Sequence, residues 1–447
     1  MEEKKAIIVG AGLVGSLWAV YLSKAGYSVE IYEMRSDIRN ADISAGKSIN
    51  LALSDRGWKA LDKVGVGDEI RKMAIPMTGR IMHDTTGNLT YQPYGKEGQA
   101  IFSVSRGGVN AKMMDIAEDH GGAKIHYNHK CVGADLKGGS VTLENTKTGE
   151  RVTRSADVIF GADGAFSAIR YTAMQKVDRF NYSQNYIEDG YREILLPANE
   201  DGSYPLDKNA LHIWPRGRFM LIALANEDGS FTCTLFMPFE GDGWSFEKLD
   251  SRDQVDKFFK EVFNDFYNMM PDIADKWEDH PLSSLAIVRC HPWTHGKFAL
   301  IGDAAHATVP FYGQGMNAGF EDCSVMWDLV EKHNENWEAI FEEYNEVRKP
   351  DGDAVQDLSL HNYYVMRDYV ADPKFLLQKK IEAKFSEKHP DKWMPLYSQV
   401  TFSEIRYSEA WNVGMKQEGI MKEVMSTTDI EDKWDSEEVE QLILSKI

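Results

Sequence analysis

Apolar and polar positions change their period along this chain. An unbroken apolar run, Ala6-Ile7-Ile8-Val9, meets the glycine-rich Gly10-Ala-Gly12-Leu-Val14-Gly15. A helical stretch from Ser16 to Ala25 follows, and then Ser28-Val-Glu-Ile-Tyr-Glu33. A continuous apolar run between turn residues predicts a strand buried on both faces, so the opening segment predicts strand, turn, helix, strand. From about Arg80 to Tyr94, and again from Leu211 to Phe239, short runs alternate around glycine-containing turns, which predicts antiparallel sheet. Beyond about Asp322 the apolar spacing lengthens to helical periods. The segment Thr427 to Ile447 holds seven acids and two lysines, yet Val439, Leu442 and Ile443 fall at helical spacing, which predicts a docked terminal helix rather than an acidic arm. No repeat or low-complexity stretch suggests a solenoid or propeller.

Composition narrows the class. The 447 residues carry 50 Lys plus Arg against 70 Asp plus Glu, a formal charge of −20, and an acidic surface repels both phosphate backbones and anionic lipid. Neither nucleic acid nor membrane is expected as a partner, and a small-molecule enzyme, monomer or homodimer, is the expectation. Cys131, Cys233, Cys290 and Cys323 lie far apart without a CxxC pair, which suits reduced thiols. The charged N-terminus runs straight into the first strand, leaving no room for a signal peptide, and no stretch approaches the ~20 apolar residues of a membrane span. A soluble, cytoplasmic protein is expected.

The first glycines have a mechanical meaning. Gly10 permits a tight turn, Gly12 lets the backbone approach a pyrophosphate, and Gly15 allows close helix packing, with the phosphates on amides at the helix N-terminus. Glu33, ending the second strand, is placed to accept from ribose hydroxyls, and its charge disfavours a 2′-phosphorylated nucleotide there. Far downstream, Lys297-Phe-Ala-Leu-Ile-Gly302-Asp303-Ala-Ala-His306 precedes Pro310-Phe-Tyr-Gly313-Gln314-Gly315-Met316-Asn317-Ala-Gly319. A strand thus delivers Asp303 to a turn where it can bond a polyol. The amides of Met316 and Asn317 open a helix and can stabilise charge on a reduced ring system. A third segment, Asp157-Val-Ile-Phe-Gly161-Ala-Asp163-Gly164 through Arg170, reads equally as a cofactor contact or as a packing turn. His306 reads as a helix-capping side chain rather than a proton carrier. Cys290-His291 with His295 lacks a fourth metal ligand nearby, so no metal is expected. The absence of GxSxG disfavours serine hydrolysis.

Together these segments resemble the flavin aromatic hydroxylases, the single-component FAD monooxygenases, over nearly the whole chain. The resemblance implies an α/β (α+β overall) architecture. A Rossmann-type FAD-binding domain occupies 1–75, 100–178 and 288–345, an inserted antiparallel-sheet substrate domain 76–99 and 179–287, and a C-terminal helical region 346–447. It implies FAD bound at Gly10, Gly12, Val14, Gly15, Glu33, Arg35, Arg106, Asp303, Gly315, Met316 and Asn317, with NADPH docking transiently and O2 as oxidant. By its residues alone, Arg106 could equally pair with an acid on its own helix.

Further segments narrow the resemblance to the members that hydroxylate L-kynurenine. They are Lys47-Ser-Ile-Asn50-Leu-Ala-Leu-Ser54, Gly79-Arg80-Ile-Met-His83, Tyr91-Gln-Pro-Tyr94-Gly95 and, most specific, Leu211-His212-Ile-Trp214-Pro-Arg216-Gly217. Animal relatives carry a C-terminal membrane anchor, and this chain is expected to lack one. The resemblance makes Arg80, Tyr94, Asn362 and Tyr397 ligands of the amino-acid head group. Leu211, Met220, Leu224, Phe236, Pro310 and Gln314 complete the substrate set. A hairpin centred on Gly87 predicts Arg80 directly opposite Tyr94, with Cβ atoms ~4.5–5.5 Å apart. Taken singly, Arg80 could be an exposed strand cation, and Met220 and Leu224, which share strand parity, could be sheet core. The implied chemistry, ring hydroxylation through a C4a-hydroperoxyflavin, requires no catalytic side chain. The alternatives are a hydroxylase of another anilinic or phenolic acid, or a non-catalytic redox-sensing flavoprotein.

Overall fold

The computed structural model describes residues 3–40, 50–120, 122–366 and 372–447, so Lys47, Ser48 and Ile49 of the Lys47–Ser54 motif lie outside the described residues. The opening apolar run is the centre of a six-stranded sheet. Its strands run Thr294–His295, Phe298–Leu300, Val158–Gly161, Lys5–Val9, Ser28–Tyr32 and Lys124–His126 in spatial order. All pairings are parallel except that of the two-residue edge strand. Ala6 to Val9 and Val158 to Gly161 are buried throughout, as strands covered on both faces must be. The consequence for function is positional. Gly10, Glu33, Ala162-Asp163 and Gly302-Asp303 all follow the carboxyl ends of adjacent parallel strands, the edge at which open α/β sheets bind ligands.

A seven-stranded sheet forms the second layer. Its order is Ser283–His291, Asn181–Leu196, Phe231–Pro238, Met220–Ala225, Ala210–Pro215, Gly79–His83 and Leu89–Pro93. The sheet is antiparallel apart from one pairing: Ala210–Pro215 runs parallel to Gly79–His83, which sets Leu211 beside Arg80. Strand alternation divides its two faces. Leu221, Ala223, Ala225, Phe231, Cys233, Leu235 and Met237 pack with Phe258, Phe259 and Phe266 of the helices Arg252–Val262 and Asn264–Met269. Met220, Ile222, Leu224 and Phe236 look the other way, toward the first layer. A small sheet of Asn50–Leu53, Ile101–Ser105 and Ile75–Met77 joins the layers. A meander of His129–Asp135, Ser140–Asn145 and Arg151–Ser155, which the alternation pattern had not singled out, flanks the first.

The register of the first hairpin differs from expectation. Arg80 pairs with Gln92, and Gly79 with Pro93, so Tyr94, the predicted partner, lies two residues beyond the observed one. The turn explains the shift: Asp84 N–H donates to Asn88 C=O at 3.1 Å, and Gly87, at φ 85°, takes the left-handed position at the end of the loop rather than its middle. Positions 92 and 94 share parity, so Tyr94 still falls on the face of Arg80.

After the long helix Trp337–Tyr364 come helices Pro373–Lys388, Leu396–Thr401, Tyr407–Met425, Ile430–Lys433 and Glu437–Leu444. The last docks as its spacing predicts, with Val439 and Ile443 buried against Phe385, Trp393 and Met421. Among the described residues no helix is long and apolar enough to cross a membrane.

Candidate functional site

The glycine loop is tight where the backbone must turn and open where a ligand would approach. Gly10 has φ 103°, and a Cβ there would come within 2.4 Å of Ala162 O; one on Gly15 would come within 2.1 Å of Gly10 O. A Cβ on Gly12, by contrast, would meet nothing within 4 Å. Gly12 begins the helix Leu13–Lys24 with no side-chain cap and no acid in the first turn, which leaves the N-terminal amides to an anion. Val14 is a convergence point: side chains added at Gly302 or Gly319 would strike it at 3.0 and 2.5 Å.

Glu33 is almost fully buried and already engaged. Its Oε2 accepts from the Ala11 amide at 3.0 Å, and its Oε1 accepts from Arg35 N–H at 3.0 Å and Arg35 Nε at 2.9 Å. The carboxylate therefore locks the glycine loop while keeping spare acceptor capacity. Arg35 lies over it with an exposed side chain.

Asp303 follows Gly302, which adopts φ 60° at the end of its strand. Its surface is open, yet burial pushes the carboxyl above its ordinary value, with the Arg106 and His306 charges pulling the other way. An open surface on a group this enclosed means that Asp303 lines a recess. Arg106 forms no ion pair among the described residues, so the alternative of an acid on its own helix does not hold, and its charge acts on Asp303. Opposite lies the N-terminus of the helix Gly315–Lys332, with Met316 and Asn317 in its first turn. Asn317 does more than its amide predicts. Its Oδ1 accepts from Ser54 N–H at 2.9 Å, and its Nδ2 donates to Ala52 O at 2.8 Å and Gly313 O at 2.9 Å, tying the Asn50–Leu53 strand to the loop. Open space over Gly12 and, among the described residues, uncapped amides at two helix ends and a carboxylate without a hydrogen-bond partner in a recess fit a dinucleotide with a polyol arm and an electron-rich ring.

Asp163 caps a short helix, its Oδ2 accepting from Ala168 N–H at 2.6 Å. The buried Arg170 pins this turn to the next motif by donating to Ala304 O at 2.7 Å. His306 is no helix cap: its Nε2 bonds Asp322 Oδ2 at 2.6 Å on the neighbouring helix. The reason is placement, because Asp322 also accepts from Gly302 N–H at 2.8 Å and from Arg348, and so knits the turn from behind. Cys290, read beside two histidines, turns its thiol to Ala305 O at 3.3 Å.

The second half of the site is an aromatic clamp on a cation. The Arg80 guanidinium lies 5.2 Å from the Tyr94 ring centre and 5.3 Å from that of Tyr397. The two rings stack at 5.3 Å and 13°, and Tyr312 stacks on Tyr397 at 5.7 Å. Among the described residues Arg80 makes no hydrogen bond or ion pair, and the buried Tyr94 hydroxyl has no partner. Burial pushes both phenols up, with Arg80 opposing, so at neutral pH they are protonated donors. Asn362 donates from Nδ2 to Phe311 O, in the Pro310–Tyr312 turn, at 2.6 Å, and among the described residues no hydrogen bond joins it to the Arg80 trio.

Leu211 and Leu224 gather with Tyr94, Tyr397 and Ala52. Met220 and Phe236 gather with Phe311 and Tyr363, Phe236 and Phe311 lying 4.9 Å apart. Ile222 belongs to both groups and joins them into one wall facing the turn that Pro310 opens. Its parity with Met220 and Leu224 was the signal that could have found it, while Phe311 and Tyr312 stood unassigned within the glycine-rich motif. Gln314 is buried, its Oε1 accepting from Tyr407 O–H at 2.8 Å. Of the run Leu211–Gly217, Leu211 gathers with the site residues, and Ile213, paired with Ile222, shares its face of the sheet. His212 and Trp214 face inward, joined to His83 and Asp265 by bonds of 2.6–3.2 Å.

Known proteins place this geometry. A family model described as FAD binding domain matches residues 3–359. Kynurenine 3-monooxygenase of Flavobacterium johnsoniae is 52% identical over 441 residues, covering 98% of each chain, and that of Flavobacterium psychrophilum is 51% identical over 445 residues, covering 99% of this chain and 98% of the other. Among solved structures, 2-methyl-3-hydroxypyridine-5-carboxylic acid oxygenase in its tetrameric form superposes with a TM-score of 0.65 at 20% identity, over 83% of this chain and 95% of that one, a likeness of fold. The chain, with its glycine loop, its Asp303 recess and its full-length likeness to those relatives, belongs to the FAD-binding-domain family, in the group formed by the kynurenine 3-monooxygenases.

Proposed function

We propose that this chain binds FAD and hydroxylates L-kynurenine to 3-hydroxy-L-kynurenine with NADPH and O2. The observation that carries the substrate is Arg80: among the described residues a guanidinium without a carboxylate, set beside two stacked tyrosine rings and an unpartnered buried hydroxyl. An unpaired cation at a pocket wall is costly unless a ligand anion completes it, and an amino-acid carboxylate does so through charge-assisted bonds. Arg80 neutralises that carboxylate, and the Tyr94 hydroxyl donates to it. Asn362, whose amide N–H is held by Phe311 O, accepts from the substrate ammonium through Oδ1. Leu211, Met220, Ile222, Leu224 and Phe236 grip the aromatic ring and exclude water.

On the cofactor side, the Gly12 loop and the helix it opens would hold the pyrophosphate, Glu33 a ribose, Asp303 the ribityl chain, and the first-turn amides of Gly315, Met316 and Asn317 the ring. When bound, FAD supplies the redox chemistry by which NADPH and O2 become a hydroxylating oxidant. The protein's own part is orientation and dryness, and no side chain is required as a base. NADPH docks transiently, without a glycine loop of its own.

Titrating the FAD-loaded protein with L-kynurenine while following the flavin absorption spectrum tests the reading. Saturable perturbation is expected, with much weaker binding of 2-aminoacetophenone, which keeps the ring and ketone but lacks the head group. Equal affinities for the two would overturn the head-group assignment.

A further inference from the structure

The segment Ser54-Asp55-Arg56-Gly57 opens the helix Asp55–Lys63, and nothing in the reaction above uses it. Arg56 is 3% exposed, a burial that a permanently charged side chain tolerates only with its donors satisfied. Its partners are unusual in what they join. Nε donates to Val400 O at 2.9 Å, and Nη2 donates to Gln399 O at 3.5 Å and to Ile405 O. Nη1 pairs with Glu321 at 2.6 Å on the helix whose first turn carries Met316 and Asn317. The guanidinium also lies 4.1 Å from the Tyr407 ring centre.

Gln399 and Val400 belong to the last turn of the helix Leu396–Thr401, whose carbonyls have no intrahelical partners and whose end attracts a cation. Six residues are too few for that helix to hold itself. It bears Tyr397, one jaw of the clamp on Arg80. One side chain thus fixes a short helix of the C-terminal region to the half of the molecule that carries the glycine loop. Gly57 brings the same helix against the turn opposite, since a Cβ there would lie 2.5 Å from Asn317 Oδ1.

We infer that Arg56 is a positioning residue. It docks the Tyr397 helix so that the Tyr397 ring closes the clamp on Arg80, and it ties substrate-head-group geometry to the flavin-facing helix through Glu321. Its effect on binding rests on the reading of Tyr397 as a head-group ligand; its effect on the helix does not.

The test uses the full FAD-loaded chain. Lysine keeps the charge toward Glu321 but cannot span three carbonyls. In Arg56→Lys, amide hydrogen exchange across 396–405 accelerates while that of 315–332 and the FAD content stay unchanged. L-Kynurenine binding weakens about tenfold or more. The double variant R56K/Y397A binds no more weakly than Y397A, because Arg56 acts through that ring. Additive losses in the cycle, or unchanged exchange across 396–405, overturn the proposal. Should R56K recover poorly, Arg56→Gln, which retains one donor for Val400 O, is read in the same way. If the unaltered protein binds no L-kynurenine, the substrate assignment falls, and exchange over 396–405 alone decides the role of Arg56.

Discussion

Arg80 shows how charge marks a binding site. Among the described residues most arginines end in carboxylates: Arg39 bonds Asp37, Asp115 and Glu118, and Arg348 bonds Asp322 and Glu321, whereas Arg80 has aromatic rings beside it and no acid. Replacing it by alanine removes a charge-assisted contact. Arg80→Ala should weaken L-kynurenine binding by about 1.5–3 kcal/mol while FAD occupancy is unchanged. Calorimetric titration of both proteins checks this, and equal affinities would remove Arg80 from the head-group role. The glycines allow a second separation. Gly10→Ala forces an L side chain into φ 103° against Ala162 O and should lower the melting temperature and lose FAD together. Gly12→Ala has room in the fold and should keep the melting temperature while losing FAD affinity, read from the ratio of flavin to protein absorbance. At this scale the sequence was informative about chemistry and less so about partners. It marked Glu33, Asp303 and Arg80, but could not show that Glu33 is held by the Ala11 amide, nor that His306 faces Asp322, because those bonds cross between elements distant in the chain.

Among the elements, the helix Gly315–Lys332 meets both halves of the site. Its N-terminus faces the Asp303 recess, and two turns later Asp322 binds Gly302 N–H, His306 and Arg348. Burial alone would push the Asp322 carboxyl up. The His306 and Arg348 charges and the bonds from His306 and Gly302 outweigh it and hold the group below its ordinary value. A carboxyl lowered in the folded state binds fewer protons folded than unfolded near its unfolded value. Its contribution is therefore present above about pH 4 and lost as pH falls through the folded value. Asp322→Asn leaves Arg348 short of one buried partner and should cost about 3–5 kcal/mol at neutral pH. Urea midpoints measured from neutral pH down to about pH 3 should converge for the two proteins; a constant gap would assign the loss to packing rather than charge. Element types were legible where period and glycine placement agreed, as in the opening strand, turn and helix. The hairpin register was not, because it depends on where Gly87 falls within its loop. The run Leu211–Gly217 was legible as distinctive but not as to its role, since alternation does not say which face a sheet turns to the ligand.

Over the whole molecule, function follows from two sheets meeting. Parallel strands bring four loops from distant parts of the chain to one edge, and the seven-stranded sheet presents Leu211, Met220, Ile222, Leu224 and Phe236 across from the Pro310–Tyr312 turn. From the C-terminal part, Tyr397 comes to lie beside Arg80, and Asn362, on the helix Trp337–Tyr364, is the proposed partner of the substrate ammonium. The motifs announced the first edge. The second wall needed the parallel pairing of Ala210–Pro215 with Gly79–His83, which no local pattern encodes. In the function proposed, this site commits reducing equivalents to one ring carbon. The most direct test is NADPH oxidation by the FAD-loaded protein in air, with and without L-kynurenine, together with the mass of the product. The account predicts strong stimulation and a product one oxygen heavier, formed in proportion to the NADPH consumed. No stimulation, or stimulation that yields hydrogen peroxide alone, would contradict it.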